Sequence, residues 1–507
     1  MKNLSRCFPG WLRSLRWMCV AGLAAFMMGC GSPAATNPNL DGKKPPSTAM
    51  AQLVFVQAVM DAPALDVWVD GEPRIMALAP RRASSFVALT PGSHKLDVRL
   101  AAAKSNDAPL WNGSVYLQEG QRVLACALGR VADSALSASP TRLNVIAEKL
   151  GDASPGPQPL RVLHAAPALP SLDVLDSDRG GVPLLQAAAY ARFSSYVDLA
   201  GPSGAPRTGL RLGLRANGEA FDLAYLVATS EQLASVAGRP QTAILLGEPN
   251  PLASDTSYLG AVLVDEITGD LREVSLEPNA LGPKATLYML NASPDAGAVD
   301  VYSRINGARL VGALDSRQAT ALLPMVPRSY PIEVRQASLP TVLLRASLRL
   351  LPNQNWAVYL GGRQQGATPS LSLVALPRAQ ATAGQTLRRA VHAIADASSD
   401  SRMTLVTTAG PSFVEPVPFA AASPYRSGEL SAEPLRLALS GGKQSWQIDM
   451  PQLVVDAAAS GVLSLYVTGT LGEPRAPLAA LAVLESSATP SQAATVIALR
   501  TTLLPPP

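Results

Sequence analysis

The chain has 507 residues, 48% of them hydrophobic and 16% charged, with a formal charge of +4. Four cations (Lys2, Arg6, Arg13, Arg16) stand in the first 16 residues with no acid among them, and the rest holds 38 Lys plus Arg against 38 Asp plus Glu. A balanced body without a basic stripe excludes nucleic-acid binding by phosphate neutralisation, and three histidines leave little for acid–base chemistry.

In chain order the first element is a leader. After the basic start, Trp17 to Met28 is an apolar run of 12 residues, shorter than the roughly 20 that a helix needs to cross a bilayer. Basic start, apolar run and small residue read as a secretory leader over residues 1–29. The ending Met27-Met28-Gly29-Cys30 resembles the bacterial lipoprotein signal. That resemblance implies that Cys30 becomes the acylated first residue of the mature chain, with a diacylglycerol thioether and an amide-linked chain. Gly31 after it implies sorting to an outer membrane, on the periplasmic or the surface face. Two or more acyl chains anchor stably where one does not. Residues 30–50, rich in Pro, Asn and Gly, read as a flexible tether. Cys7 and Cys19 leave with the leader and Cys30 is taken by lipid. Only Cys126 remains, inside Val123-Leu-Ala-Cys-Ala-Leu128, where it is expected to be a buried small apolar side chain outside any disulfide.

The remainder repeats itself four times. Each copy opens with an apolar strand that runs into a polar residue and then Ala: Leu53 to Gln57-Ala58, Leu160 to His164-Ala165, Leu287 to Asn291-Ala292, and Val391-His392-Ala393. In three copies an Asp-Val pair follows nine residues later, at Asp66-Val67, Asp173-Val174 and Asp300-Val301; copy four has Met403-Thr-Leu-Val406 instead. An alternating strand comes next (Leu96–Leu100, Leu210–Leu214, Ile332–Arg335, Leu435–Leu439), with one face on a core and one in water. A longer apolar run then ends in Gly (Val123 to Gly129, Thr242 to Gly247, Trp356 to Gly361, Val462 to Gly469), and a closing strand follows. The polar anchors lie 107, 127 and 101 residues apart, one sandwich-sized domain each. Short strands between Pro/Gly turns, with no helical period long enough to make an element, predict an all-β chain of tandem antiparallel Ig-like sandwiches. The copies are expected over residues 51–152, 158–278, 284–378 and 387–507, each packing its own core. The last includes the stretch after Leu484, which either adds a strand or stays loose.

The run Asn291-Ala-Ser-Pro-Asp-Ala-Gly-Ala-Val-Asp-Val-Tyr302 resembles the start of the bacterial family known as domain of unknown function 4397. Copy one is close, with Gln57-Ala-Val-Met-Asp-Ala-Pro-Ala-Leu-Asp-Val-Trp68; copy two keeps His164-Ala-Ala-Pro167, and copy four keeps mainly His392-Ala393. The resemblance implies Ig-like sandwiches in secreted or lipid-anchored proteins, and no activity.

Chemistry is sparse. A position that holds His, Asn or Gln in sibling copies is expected to cap a strand end through hydrogen bonds, which removes His164 and His392 from catalysis. His94, beside Pro91-Gly92-Ser93, is expected to be solvated. Nucleophile elbow, zinc helix and phosphate loop are all missing. Asp176-Ser-Asp178-Arg-Gly180 begins like a calcium loop but lacks the later oxygen ligands, so it reads as a turn. The acid pairs Asp66/Asp70 and Asp173/Asp176 are not assigned catalysis. No catalytic residue, cofactor or metal is expected, and Cys30 is the one candidate modified residue. The first reading is a non-catalytic, lipid-anchored envelope scaffold that binds protein. An adhesive or carbohydrate-binding module, with Trp68 and Trp111 as candidate platform residues, is the alternative, and an envelope hydrolase comes last.

Overall fold

The computed structural model describes residues 49–504 apart from short stretches, the longest being 133–140, 153–157, 200–206, 472–476 and 486–494. The leader, most of the tether and Cys30 therefore lie outside the described residues. The described chain is a set of tandem β-sandwich domains. In repeat 1 one sheet orders Val87–Leu89, Ala51–Gln57, Arg122–Leu128 and Asn144–Lys149. Facing it are Glu72–Leu78, Leu65–Val69, Gly92–Leu100 and Trp111–Leu117, and repeat 3 has the same order. The strand pairs are antiparallel with one exception in each repeat: the opening strand runs parallel to the glycine-ended strand. Joining the first and the late strand side by side closes each repeat on itself.

Repeats 2 and 4 depart from this plan. In repeat 2, Leu271–Pro278 pairs with Gly260–Asp265 through its first half and with Ala224–Ala228 through its second. One strand thus turns the corner between the sheets, and nine strands form one continuous sheet. In repeat 4 the stretch after Leu484 adds strands to both sheets, Thr495–Leu499 on Ala479–Glu485 and Thr501–Leu503 on Ser445–Ile448. Two short helices, Ser230–Ala234 and Gln452–Ala458, precede the glycine-ended strand in these two repeats. The sequence reading has no helix there. Each is too short to show a period, and each places one apolar side chain, Leu233 or Val454, in its repeat's core.

The repeats do not pack independently. Each has its own core, but two further apolar clusters cross repeat boundaries. Along the opening strand of repeat 1, Leu53 and Phe55 face the repeat's own core while Val54 and Val56 face repeat 2. Against them lie Leu163, Ile244, Val262 and Val264 of repeat 2, with Cys126 among them. Repeats 3 and 4 join in the same way through Tyr288, Leu290, Tyr359, Val391 and Leu481. Strands buried on both faces lose the apolar–polar alternation, which is why Val123–Leu128 is apolar throughout. A third contact, between repeats 2 and 3, is small and gathers Tyr258 and Leu259 around Leu351.

The glycine that ends the long apolar strand has a fixed reason. Gly129, Gly247, Gly362 and Gly469 take φ of +96°, +93°, +82° and +93°. A Cβ at Gly129 would stand 2.4 Å from the carbonyl oxygen of Arg142, and the other three meet the incoming closing strand in the same way. In repeat 3 the residue is Gly362, one beyond the Gly361 expected.

Candidate functional site

Four repeated polar groups set the frame. Gln57, His164 and Asn291 each meet the backbone carbonyl six residues on, at Pro63 (2.8 Å), Pro170 (2.9 Å) and Gly297 (2.8 Å). His392 meets Ser401 Oγ at 3.1 Å. All four are fully buried. Burial lowers the pKa of both histidines, that of His392 to about 4. The backbone carbonyl of the same residue accepts from Arg81, Ala191, Arg317 or Ala420, all at positive φ. Three residues further, Ser84, Ser194, Thr320 and Ser423 accept through their side-chain oxygens from the opening strand. This hydroxyl recurrence escaped the sequence reading; the residue three after each positive-φ turn was its only signal.

His94 is a correction. It is buried, not solvated, with Nδ1 2.6 Å from Asp70 and Nε2 2.7 Å from the Thr90 carbonyl. Burial works against the imidazolium, but the two acceptors outweigh it and the pKa is raised. The three histidines thus sit in separate repeats, each on local partners.

The acid pairs are not brought to a common site. Asp66 accepts from Ala77 N (2.7 Å) and Ala102 N (3.0 Å), while Asp70 takes His94 and Lys95 N. Asp173 accepts from Ala187 N at 2.8 Å. Asp176 is buried against the guanidinium of Arg207, which holds both carboxylate oxygens. An arginine therefore stands where a loop cation would. Among the described residues no group of three or more His, Cys, Asp or Glu is placed to hold a metal. Complete burial pushes the Cys126 thiol far up. Trp68 and Trp111 fall on opposite faces of their sheet: Val98 pairs with Trp111 toward the core, and Asp97 pairs with Trp68 on the outside. They do not make one platform. Arg99 stacks over Trp68 at 5.0 Å.

Two buried arginines tie the repeats in pairs. Arg161 of repeat 2 donates to Thr242 Oγ1 (2.9 Å) and to the carbonyl of Lys149 (3.0 Å), at the end of repeat 1. Its Nε lies 3.0 Å from Glu266, whose other oxygen accepts from Gly151 N and the Tyr196 hydroxyl. Arg389 occupies the same position in repeat 4, three residues before His392. It donates to Ser464 Oγ (2.9 Å) and to the carbonyl of Pro377 (2.7 Å), at the end of repeat 3.

Arg389 also opens onto a cleft of about 870 Å³ lined by all four repeats. Its guanidinium lies 4.4 Å from the Tyr425 ring. Arg130 of repeat 1 and Glu248 of repeat 2 pair at 2.6 Å on one side, and Arg378 of repeat 3 stands on another. Three arginines against one glutamate make the lining positive on a body otherwise balanced in charge. Asn250, Asn353, Gln354 and Asn355 add polar lining, and most of the rest is apolar, Trp356 and Leu376 among it.

Comparison with known proteins adds the family. No curated protein matches the chain. A solved structure, the Bacillus anthracis TIE protein, is similar at 8% identity with a TM-score of 0.13, over 84% of this chain and 69% of that one. The family model described as Domain of unknown function (DUF4397) matches residues 51–175 and 285–400. The first match covers repeat 1 and runs into the second strand of repeat 2, and the second covers repeat 3 and the first strand of repeat 4. Two regions of the chain thus match the DUF4397 model, as tandem repeats of that domain would.

Proposed function

We propose that this chain is a non-catalytic scaffold of the cell envelope, held to a membrane by lipid on Cys30. Its cleft takes an acidic, extended segment of a protein partner. The observation that carries this reading is the positive cleft to which all four repeats contribute, with Arg389 at once tying repeat 4 to repeat 3 and lining the cleft. A site assembled from every repeat depends on their fixed arrangement, which the buried clusters provide. The histidines, each engaged within its own repeat, support a binding role over catalysis.

The anchor is tested by exchanging Cys30→Ser, labelling growing cells with palmitate and fractionating them; loss of label and release from membranes is expected. The cleft is tested by cross-linking in whole cells with the native chain and with Arg378→Glu. A specific cross-linked partner lost in the variant supports the reading, and identical cross-links in both reject it.

A second reading, a glycan-binding module, is favoured by the row of amides beside Tyr425 in the same cleft. Glycan-array binding that is lost in Asn355→Ala and kept in Trp68→Ala would place the sugar there.

A further inference from the structure

A smaller pocket of about 230 Å³ lies where repeats 1, 2 and 3 meet, and it shares no lining residue with the larger cleft. Its polar lining is Arg81 of repeat 1, Tyr258 of repeat 2, and Ser329 and Arg349 of repeat 3; apolar side chains such as Val274 and Leu276 form the rest. Two guanidinium groups therefore converge on one small enclosure.

Arg81 is built into this place. Its backbone is fixed at φ +61° by the turn onto the opening strand, where its N–H donates to the Gln57 carbonyl at 2.9 Å. Its side chain is 9% exposed and donates through Nη2 to the Tyr258 carbonyl. Gly260 makes room for it: a Cβ there would stand 2.4 Å from Arg81 Nη1. Arg349 enters from the other side. Its backbone N–H donates to the Pro251 carbonyl (2.8 Å), Nη1 donates to the Ala253 carbonyl (3.3 Å), and the guanidinium lies 4.8 Å from the Tyr258 ring. Burial first, and the Arg349 charge as well, disfavour the charged form of Arg81; Glu273 favours it, but that carboxylate faces outward to Arg82 at 3.3 Å. The Tyr258 hydroxyl is buried with no hydrogen-bond partner among the described residues, which costs free energy unless a partner is supplied.

We propose that this pocket is a binding site for a small oxyanion, inorganic phosphate or sulfate, held between the guanidinium groups of Arg81 and Arg349. A bridging oxyanion relieves the repulsion between the two cations and accepts charge-assisted hydrogen bonds from both. At roughly 30 Å³ per water in the liquid, the space admits a tetrahedral anion with solvent around it. Bound there, the anion joins the repeat 1–2 pair to repeat 3, where the apolar contact is smallest.

The test is titration calorimetry with inorganic phosphate, paired with thermal unfolding in phosphate against chloride at equal ionic strength, on the chain from residue 30 onward. Saturable binding and a rise in Tm beyond that in chloride are expected. Arg349→Met, which is partly exposed and expected to fold, binds about tenfold more weakly or worse and loses the rise; Arg349→Lys retains part of both. A phosphate monoester, glycerol 3-phosphate, distinguishes the source: equal affinity marks a site for a phosphoryl group on a larger molecule, and binding of the inorganic ion alone marks a free anion. No saturable binding by the native chain, or an equal response from Arg349→Met, overturns the proposal. Because the larger cleft is tested through Arg378, failure of either site is read separately.

Discussion

Asp300 Oδ1 accepts the backbone N–H of Ala313 at 2.7 Å, and Ala313 stands at φ +48°. The same pairing joins Asp66 to Ala77 at φ +51° and Asp173 to Ala187 at φ +50°. An alanine in the left-handed region is strained, and here a carboxylate on the neighbouring strand holds it through a bulge in the pairing. The recurring Asp-Val pair is thus a backbone clamp. Asp300 also accepts from Ser338 N at 3.2 Å, again a residue at positive φ.

Asp300→Ala should lower stability by about 1–3 kcal/mol, because it leaves the Ala313 N–H without an acceptor. Urea unfolding measures it. Since the Ala313 N–H, and after it the Ser338 N–H, holds the Asp300 pKa below its usual value, the clamp contributes fully above the ordinary aspartate range. That contribution is lost as pH falls through the lowered value. The variant should show a flatter acid limb than the native chain.

His392 also loses stability on the acid side, for a different reason and over a higher pH range. Burial lowers its pKa to about 4, so the unfolded chain, near 6.5, takes up a proton that the folded chain refuses. Stability is full above about pH 6.5 and declines towards pH 4 by about 2–3 kcal/mol. His392→Asn places the repeat 3 residue at this position and should abolish that decline while leaving stability at pH 7.5 within about 1 kcal/mol. Thermal unfolding across pH 4–8 reads both.

His94 has a raised pKa, so its contribution runs the other way. It is complete below the unfolded value near 6.5 and is lost as pH rises through the folded one. His94→Gln should flatten the stability profile on the alkaline side only, which places its effect apart from that of His392.

The ion pair between Arg161 and Glu266 is buried, at 3% and 0% side-chain exposure. Glu266→Gln should cost about 3–5 kcal/mol by leaving a buried cation against a neutral amide. The double variant Arg161→Met with Glu266→Leu should recover most of the loss. A double-mutant cycle in urea with a coupling near zero would show that the pair does not hold repeats 1 and 2 together.

Much of this was legible in the residues. The opening strands, the Asp-Val strands and the alternating strands fall where period two and turn chemistry put them; Leu435–Leu439 agrees residue for residue. The stacking of repeats was not. Val54 and Val56 look like any core residues, because an apolar side chain does not say which repeat will cover it. The parallel pairing of the opening strand with the late strand was hidden for a similar reason, since pattern fixes a face and not a neighbour. In repeat 4, Thr404 stands where Asp300 stands in repeat 3, and the strand that the clamp would hold is reduced to Val417–Pro418. The cleft was invisible because its residues come from four separate parts of the chain. The copy that departs from the motif was legible; its structural cost was not.

The reach of Arg389 to Pro377, and of Arg161 to Lys149, also decides where the molecule can be cut. A fragment that stops after residue 152 bares a dry, two-sided sheet and strips a carbonyl of its donor. One that stops after residue 278 leaves the two-sided sheets covered and severs the smaller seam around Leu351, with the Arg349 hydrogen bonds to Pro251 and Ala253. Duplication, truncation or grafting of this architecture should therefore proceed in steps of two.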